Sequence, residues 1–181
     1  MSKPSDESLM LEVARGDPAA FRQLVERHQE AVWRTAYRMV SDRQSAEDLA
    51  QEAFVRLFQA AGRYRPTAAF RTYLYRIVVR VCLDHRRKKR PQLEPDLAQV
   101  TESTPTVEQQ AELGEQADLV QEAVAGLPPK QRSAVVLRYY EGLSSAEIAD
   151  VMDTTAKAVE RLLARGRGAL QERLARLLED R

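Results

Sequence analysis

The chain has 181 residues, 44% of them hydrophobic and 30% charged, with a net charge of +1, enough for one medium domain or two small ones with apolar cores. No run of eighteen apolar residues occurs and "MSKPSDESLM" has no apolar core of a leader, so neither a membrane span nor a secretory signal is expected. Cys82 is the only cysteine, which excludes an internal disulfide and disfavours a thiolate metal site; together these features predict a cytoplasmic protein without a cofactor.

In chain order, Asp17-Pro18 supplies an N-cap and a first-turn proline. Phe21, Leu24, Val25, His28, Val32, Trp33 and Tyr37 then mark one side of a long helix. "SAEDLAQEAFVRLF" predicts a second helix opened at Ser45, with Leu49, Ala53, Leu57 and Phe58 inward and Gly62 as its end. Asp48, Gln51, Glu52 and Val55 fall on the opposite, solvent side. After "GRYRPTAA", Thr67 is the expected cap of a third helix, whose inward stripe is Phe70, Leu74, Ile77, Val78 and Val81 and which Pro91 ends.

Residues 91–106 hold three prolines and no periodicity, the pattern of a linker. Helical patterns resume at 107–125, 130–141, 144–152 and 155–178, separated by "GLPP" and two short turns, and no strand pattern is convincing. The expected fold is therefore all-α: two small helical domains, residues 1–91 and 123–181, joined by a flexible acidic linker at 92–122 that includes part of a helix.

Charge is sorted along the chain. Residues 62–91 carry ten Lys/Arg against Asp84 alone, whereas 92–129 carry eight acidic residues and no basic one. A basic segment beside an acidic connector suggests a nucleic-acid face. The segment "FRTYLYRIVVRVCLDHRRKKRP" mixes arginines, which suit phosphate, with Tyr73 and Tyr75; with Tyr64 upstream, these tyrosines offer π faces for unstacked bases, or else at least one belongs to the core. The acidic linker is expected to shield this basic helix in the free protein.

In "GLSSAEIADVMDTTAKAVERLLARGRGAL", Ser144 and Glu147 form a capping box, "DTT" makes a turn and Thr155 caps the next helix. Small Ala149 permits a close helix crossing, and Val159, Leu162 and Leu163 pin the second helix to the first. This is a helix-turn-helix that presents Lys157, Glu160, Arg161 and Arg165 outward, residue types that read base edges or bind phosphate. Cys82 and His85 lie one turn apart, but a lone pair is more often structural than metal-binding.

"AEDLAQEAFVRLF", "FRTYLYRIVVRVCLDHRRKKR" and "LPPKQRSAVVLRYYEGLSSAEIADVM", in that order and at those separations, resemble a bacterial extracytoplasmic-function (ECF) RNA polymerase sigma factor. The resemblance implies a non-enzymatic initiation factor whose partners are core RNA polymerase (β′ clamp and β subunits), promoter DNA and an anti-sigma factor, with no direct membrane insertion. It implies a polymerase-binding set of Asp48, Gln51, Glu52 and Arg56. It implies a −10 DNA set of Arg63, Tyr64, Arg65, Arg71, Tyr73, Tyr75, Arg76, Arg80, Arg86, Arg87 and Lys88. For the −35 element it implies Thr155, Lys157, Glu160, Arg161 and Arg165. The chain departs from the family pattern at Tyr73, often Trp; Arg80, often Asn; Asp153, usually Gly; and Glu160, frequently basic. The alternative is a helix-turn-helix regulator that binds operator DNA without polymerase.

Overall fold

A computed structural model describes residues 3–89 and 114–179, and among these all regular structure is helical. Pro91 and residues 92–113 of the expected linker lie outside the described residues, and with them most of the acidic segment expected to shield the basic helix and the start of the helix expected at 107.

The N-terminal unit is built from α1 (Asp6–Ala14), α2 (Pro18–Val40), α3 (Arg43–Ala60), a 3-10 turn (Ala61–Arg63) and α4 (Phe70–Lys89). The sequence pattern did not predict α1. Ser5 caps it by accepting from the Ser8 amide, and its Leu9, Met10 and Val13 enter the core. Asp17 and Pro18 open α2 as expected, the Asp17 side chain accepting from the Ala19 amide at 2.8 Å. The start of α3 differs: its N-cap is Asp42, which accepts from the Ser45 amide at 2.8 Å, so Ser45 sits inside the first turn and is buried. The inward residue near its end is Phe54 rather than Phe58, whose ring is 52% exposed and edge-on to Phe21. The helix starts three residues earlier than a cap at Ser45 would place it, while Leu49, Ala53 and Leu57 keep the inward face expected.

The third helix is also capped from elsewhere. Thr67 donates its amide to the Arg65 carbonyl, whereas the first amide of α4, at Phe70, donates to Glu7 of α1 at 2.8 Å. Phe70, Leu74, Val78 and Val81 are buried, with Ile77 partly so, and Tyr75, Val79 and Cys82 join them. Nearly the whole circumference of α4 is thus covered over its central turns, more than one stripe would provide.

The C-terminal unit comprises α5 (Gly114–Ala125), α6 (Pro129–Tyr139), α7 (Ser145–Met152) and α8 (Ala156–Glu179). Helix α5 packs along α8 and also touches α2. Ser144 and Glu147 complete the reciprocal capping box, and Thr155 accepts from the Ala158 amide at 3.2 Å. Asp153 ends α7 in the left-handed region, φ 54°, the conformation the usual glycine would take. A side chain as small and polar as Asp tolerates this geometry, so the turn is kept without glycine.

The two units pack on each other through α2 and α4 on one side and α5, α6 and α7 on the other. Apolar residues of both units form one continuous cluster. Arg86 of α4 and Arg132 of α6 both donate to the Met39 carbonyl, at 3.0 and 2.7 Å. Two cations at the end of α2 offset its C-terminal dipole and tie the units at one atom.

Candidate polymerase and DNA interfaces

On α3, burying Leu49, Ala53, Phe54 and Leu57 forces Asp48, Gln51, Glu52 and Val55 into solvent. Arg56 donates to Glu52 one turn back and lies 3.7 Å from Asp84 of α4. These exposed ion pairs contribute at most about 1 kcal/mol each and open readily for a partner. Beside Gln51, a shallow cleft of about 300 Å³ runs between α2 and α3, lined by Val25, Trp33 and Phe54 among others. The α3 face thus sets a row of carboxylates and an amide beside apolar surface.

The expected −10 residues divide into three groups. Arg63, Arg80, Arg87 and Lys88 are exposed, with Arg87 3.4 Å from Asp84, and Arg65 is exposed with its guanidinium on the Tyr64 carbonyl. Tyr64 and Tyr73 form a second group, edge to face at 5.0 Å. Tyr64 is only 2% exposed and also meets Phe70, so it offers no free π face, and burial pushes its phenol pKa upward. Tyr73 keeps a partly exposed ring.

The third group is engaged with the C-terminal unit. Arg71 donates to the Glu141 carbonyl and approaches its carboxylate at 3.5 Å, and Tyr75 donates its hydroxyl to the same carboxylate. Arg76 donates through Nε and Nη2 to the Asp150 carbonyl of α7 at 2.9 and 2.6 Å. Tyr75 is 3% exposed, and burial, reinforced by Glu141, pushes its pKa up to about 12. The expectation of a DNA-facing stripe that included Tyr75 is therefore not met in this arrangement, because α7 and the α6–α7 turn cover it. Arg86 likewise points to Met39 instead of solvent.

On α8, Thr155, Lys157, Glu160, Arg161 and Arg165 are all exposed. Lys157, Arg161 and Arg165 repeat every four residues and present one cationic stripe. Glu160 is held by the Ser145 hydroxyl at the start of α7, which ties its carboxylate to the protein. Cys82 is buried and that burial pushes its thiol up to about 12, and no group of three or more metal-ligating side chains occurs among the described residues.

The pattern reading missed Thr35, Arg132 and Glu141. Each sits in a helical segment whose local sequence is unremarkable, and only contacts more than ninety positions away, from Thr35 to Glu141 and from Arg132 to Met39, reveal them.

An all-helical protein with an exposed acidic docking row, a basic helix and a helix-turn-helix has the parts of a promoter-recognition factor. Comparison with known proteins agrees. The sigma-70 region 2 family model matches residues 24–92 and the sigma-70 region 4 model residues 117–179. The RNA polymerase sigma-H factor of Pseudomonas aeruginosa is 34% identical, covering 99% of both chains. The ECF sigma factor SigE of Mycolicibacterium smegmatis is 39% identical over 96% of this chain and 71% of its own length. Among solved structures, CnrH in complex with the cytosolic domain of CnrY superimposes with a TM-score of 0.70 at 26% identity, covering 98% of this chain and 99% of that one.

The chain belongs to the ECF RNA polymerase sigma factors. It binds core RNA polymerase and directs promoter-specific transcription initiation, and the comparisons do not favour a polymerase-independent operator binder. No helix among the described residues is long and apolar enough to cross a membrane.

Proposed function

We propose the following division of labour along the chain. Residues 1–91 form the polymerase-binding and −10 unit, 123–181 the −35 unit, and 92–122 the connection between them. Asp48, Gln51, Glu52 and Arg56 dock on the β′ clamp of core polymerase, and the C-terminal unit meets the β subunit. Arg63, Arg65, Tyr73, Arg80, Arg87 and Lys88 receive the opened −10 strand, joined by Arg71, Tyr75 and Arg76 once the C-terminal unit has moved, with Arg86 beside them at the Met39 carbonyl. Tyr64 shapes that face from within. Lys157, Arg161 and Arg165 contact the −35 duplex at the major groove, with Thr155 setting the helix start and Glu160 held beside them.

The observation that carries this reading is the uncommitted row on α3: its polar side chains stand in solvent and make only surface pairs, so the fold has no other use for them. The protein works by binding and positioning, without catalysis of its own, in the cytoplasm. An anti-sigma factor is a further partner, and the solved complex of CnrH with the cytosolic domain of CnrY supports a protein partner of this kind.

Replacing Gln51 and Glu52 together with Ala tests the assignment. The double variant should lose about tenfold in affinity for core polymerase, measured by fluorescence titration, with its melting temperature nearly unchanged because neither side chain is buried. Arg161→Ala should keep core affinity and weaken −35 duplex binding by about 1–3 kcal/mol. Unchanged core affinity in the double variant would place the docking face elsewhere.

A further inference from the structure

We propose that Glu141 is the catch of a closed state in which the C-terminal unit occupies the surface of α4 that opened DNA would use. This rests on the assignment of that surface to single-stranded promoter DNA made above.

Three donors on α4 converge on one region, and all three are taken by acceptors of the C-terminal unit. Arg71 and Tyr75, one turn apart, meet Glu141, and Arg76 meets the Asp150 carbonyl at 2.9 and 2.6 Å. From α2, Thr35 donates to the other carboxylate oxygen of Glu141 at 2.7 Å. The Glu141 side chain is 8% exposed, so this carboxylate is almost fully removed from water. The turn that carries it is set by Gly142, whose φ of 67° reverses the chain after α6 and lets the Leu143 amide return to the Leu137 carbonyl at 3.0 Å.

One carboxylate and two backbone carbonyls thus supply oxygen acceptors to guanidinium and phenol donors, the same chemistry that phosphate oxygens and base edges would supply. A donor already committed to Glu141 or Asp150 is unavailable to DNA, so the two occupants exclude each other. The exclusion is one-sided. Arg80 on the next turn of α4 and the Lys157–Arg161 stripe on α8 stay exposed. The free protein therefore presents its duplex reader while the Arg71–Tyr75–Arg76 part of its single-strand face is covered, and any partner that separates the units uncovers that part. A carboxylate kept only for cohesion would link the units equally well without using the donors of the DNA face.

The test uses the full chain without polymerase. Spin labels are placed at exposed Gln44→Cys and Ala175→Cys, leaving buried Cys82 unlabelled. Affinity is read with a fluorescent single strand of mixed sequence and with its duplex. In Glu141→Ala the label distance should lengthen and single-strand affinity should rise about tenfold, since a closed population lowers apparent affinity by its own weight. Duplex affinity should change by less than about twofold, because the α8 stripe is exposed in both states. Thr35→Val, which touches the catch from the α2 side and has no DNA role, should give a smaller rise of about threefold. A lowered melting temperature with unchanged single-strand affinity in both variants would make the contact merely structural and overturn the proposal, as would a long label distance in the wild-type chain. Adding Arg80→Ala to Glu141→Ala separates the two readings. If it fails to weaken single-strand binding, the DNA-face assignment is wrong; if it weakens binding while Glu141→Ala alone gave no rise, only the catch is wrong.

Discussion

Single residues show how far local chemistry carries and where packing takes over. Tyr64 lies in a polar loop between two arginines, the setting of an exposed aromatic, yet its ring is enclosed by Phe70 and Tyr73. No local signal marks that enclosure, since it depends on how α4 crosses the loop. Its hydroxyl is buried without a hydrogen-bond partner among the described residues, an arrangement that costs free energy. Tyr64→Phe should therefore raise thermal stability, by up to about 1 kcal/mol in denaturant unfolding. A loss of stability would mean that the hydroxyl has a partner. Asp153 is the opposite case: the sequence position of a turn is legible from "DTT", and the structure adds only that Asp adopts the left-handed conformation itself.

At the scale of elements, the helix-turn-helix was nearly complete in the sequence because its signals are local. Ser144, Glu147 and Thr155 each act within three residues of themselves. The beginnings of α1, α3 and α4 were less legible. Helix α1 is short and its buried Leu9, Met10 and Val13 make too few turns for a clear period. For α3, Asp42 and Ser45 both have capping side chains three residues apart, and it is Asp42 that caps, by accepting from the Ser45 amide. The cap of α4 comes from Glu7, 63 positions away, beyond any local pattern.

The capping box of α7 also has a pH signature. Hydrogen bonds from the Ser144 backbone and then its side chain hold the Glu147 carboxyl below its ordinary 4.5. A carboxyl depressed in the folded state stabilises fully above its unfolded pKa, and that contribution is lost as pH falls through the folded value. Ser144→Ala should destabilise the protein by about 1 kcal/mol at pH 7. The difference between wild type and Glu147→Gln should shrink as pH drops below 4.5, read by thermal unfolding across that range. A difference that persists in acid would show that the carboxylate is not the group responsible.

For the whole molecule, the division into two helical units could be read from the interrupted periodicity and the change of charge, but their mutual packing could not. Thr35, Arg71, Tyr75 and Arg76 meet partners 66 to 106 positions away, as Arg132 meets Met39 93 positions back. Nothing in the surrounding residues announces such pairs. The segregation of cations into 62–91 marks a basic surface of the chain, and the structure adds that the C-terminal unit covers part of it. On the division of labour and the closed state proposed above, promoter opening involves two events, docking of α3 on polymerase and release of α4 from Glu141.

The most direct measurement of this account is permanganate reactivity of thymines in promoter DNA, followed with the full chain alone, with core polymerase alone and with both. The account predicts reactive thymines in the −10 segment only when both are present, with reactivity lost on replacing Gln51 and Glu52 with Ala. Reactive thymines with the chain alone, or a closed duplex with both at promoters that the chain occupies unaided, would contradict it.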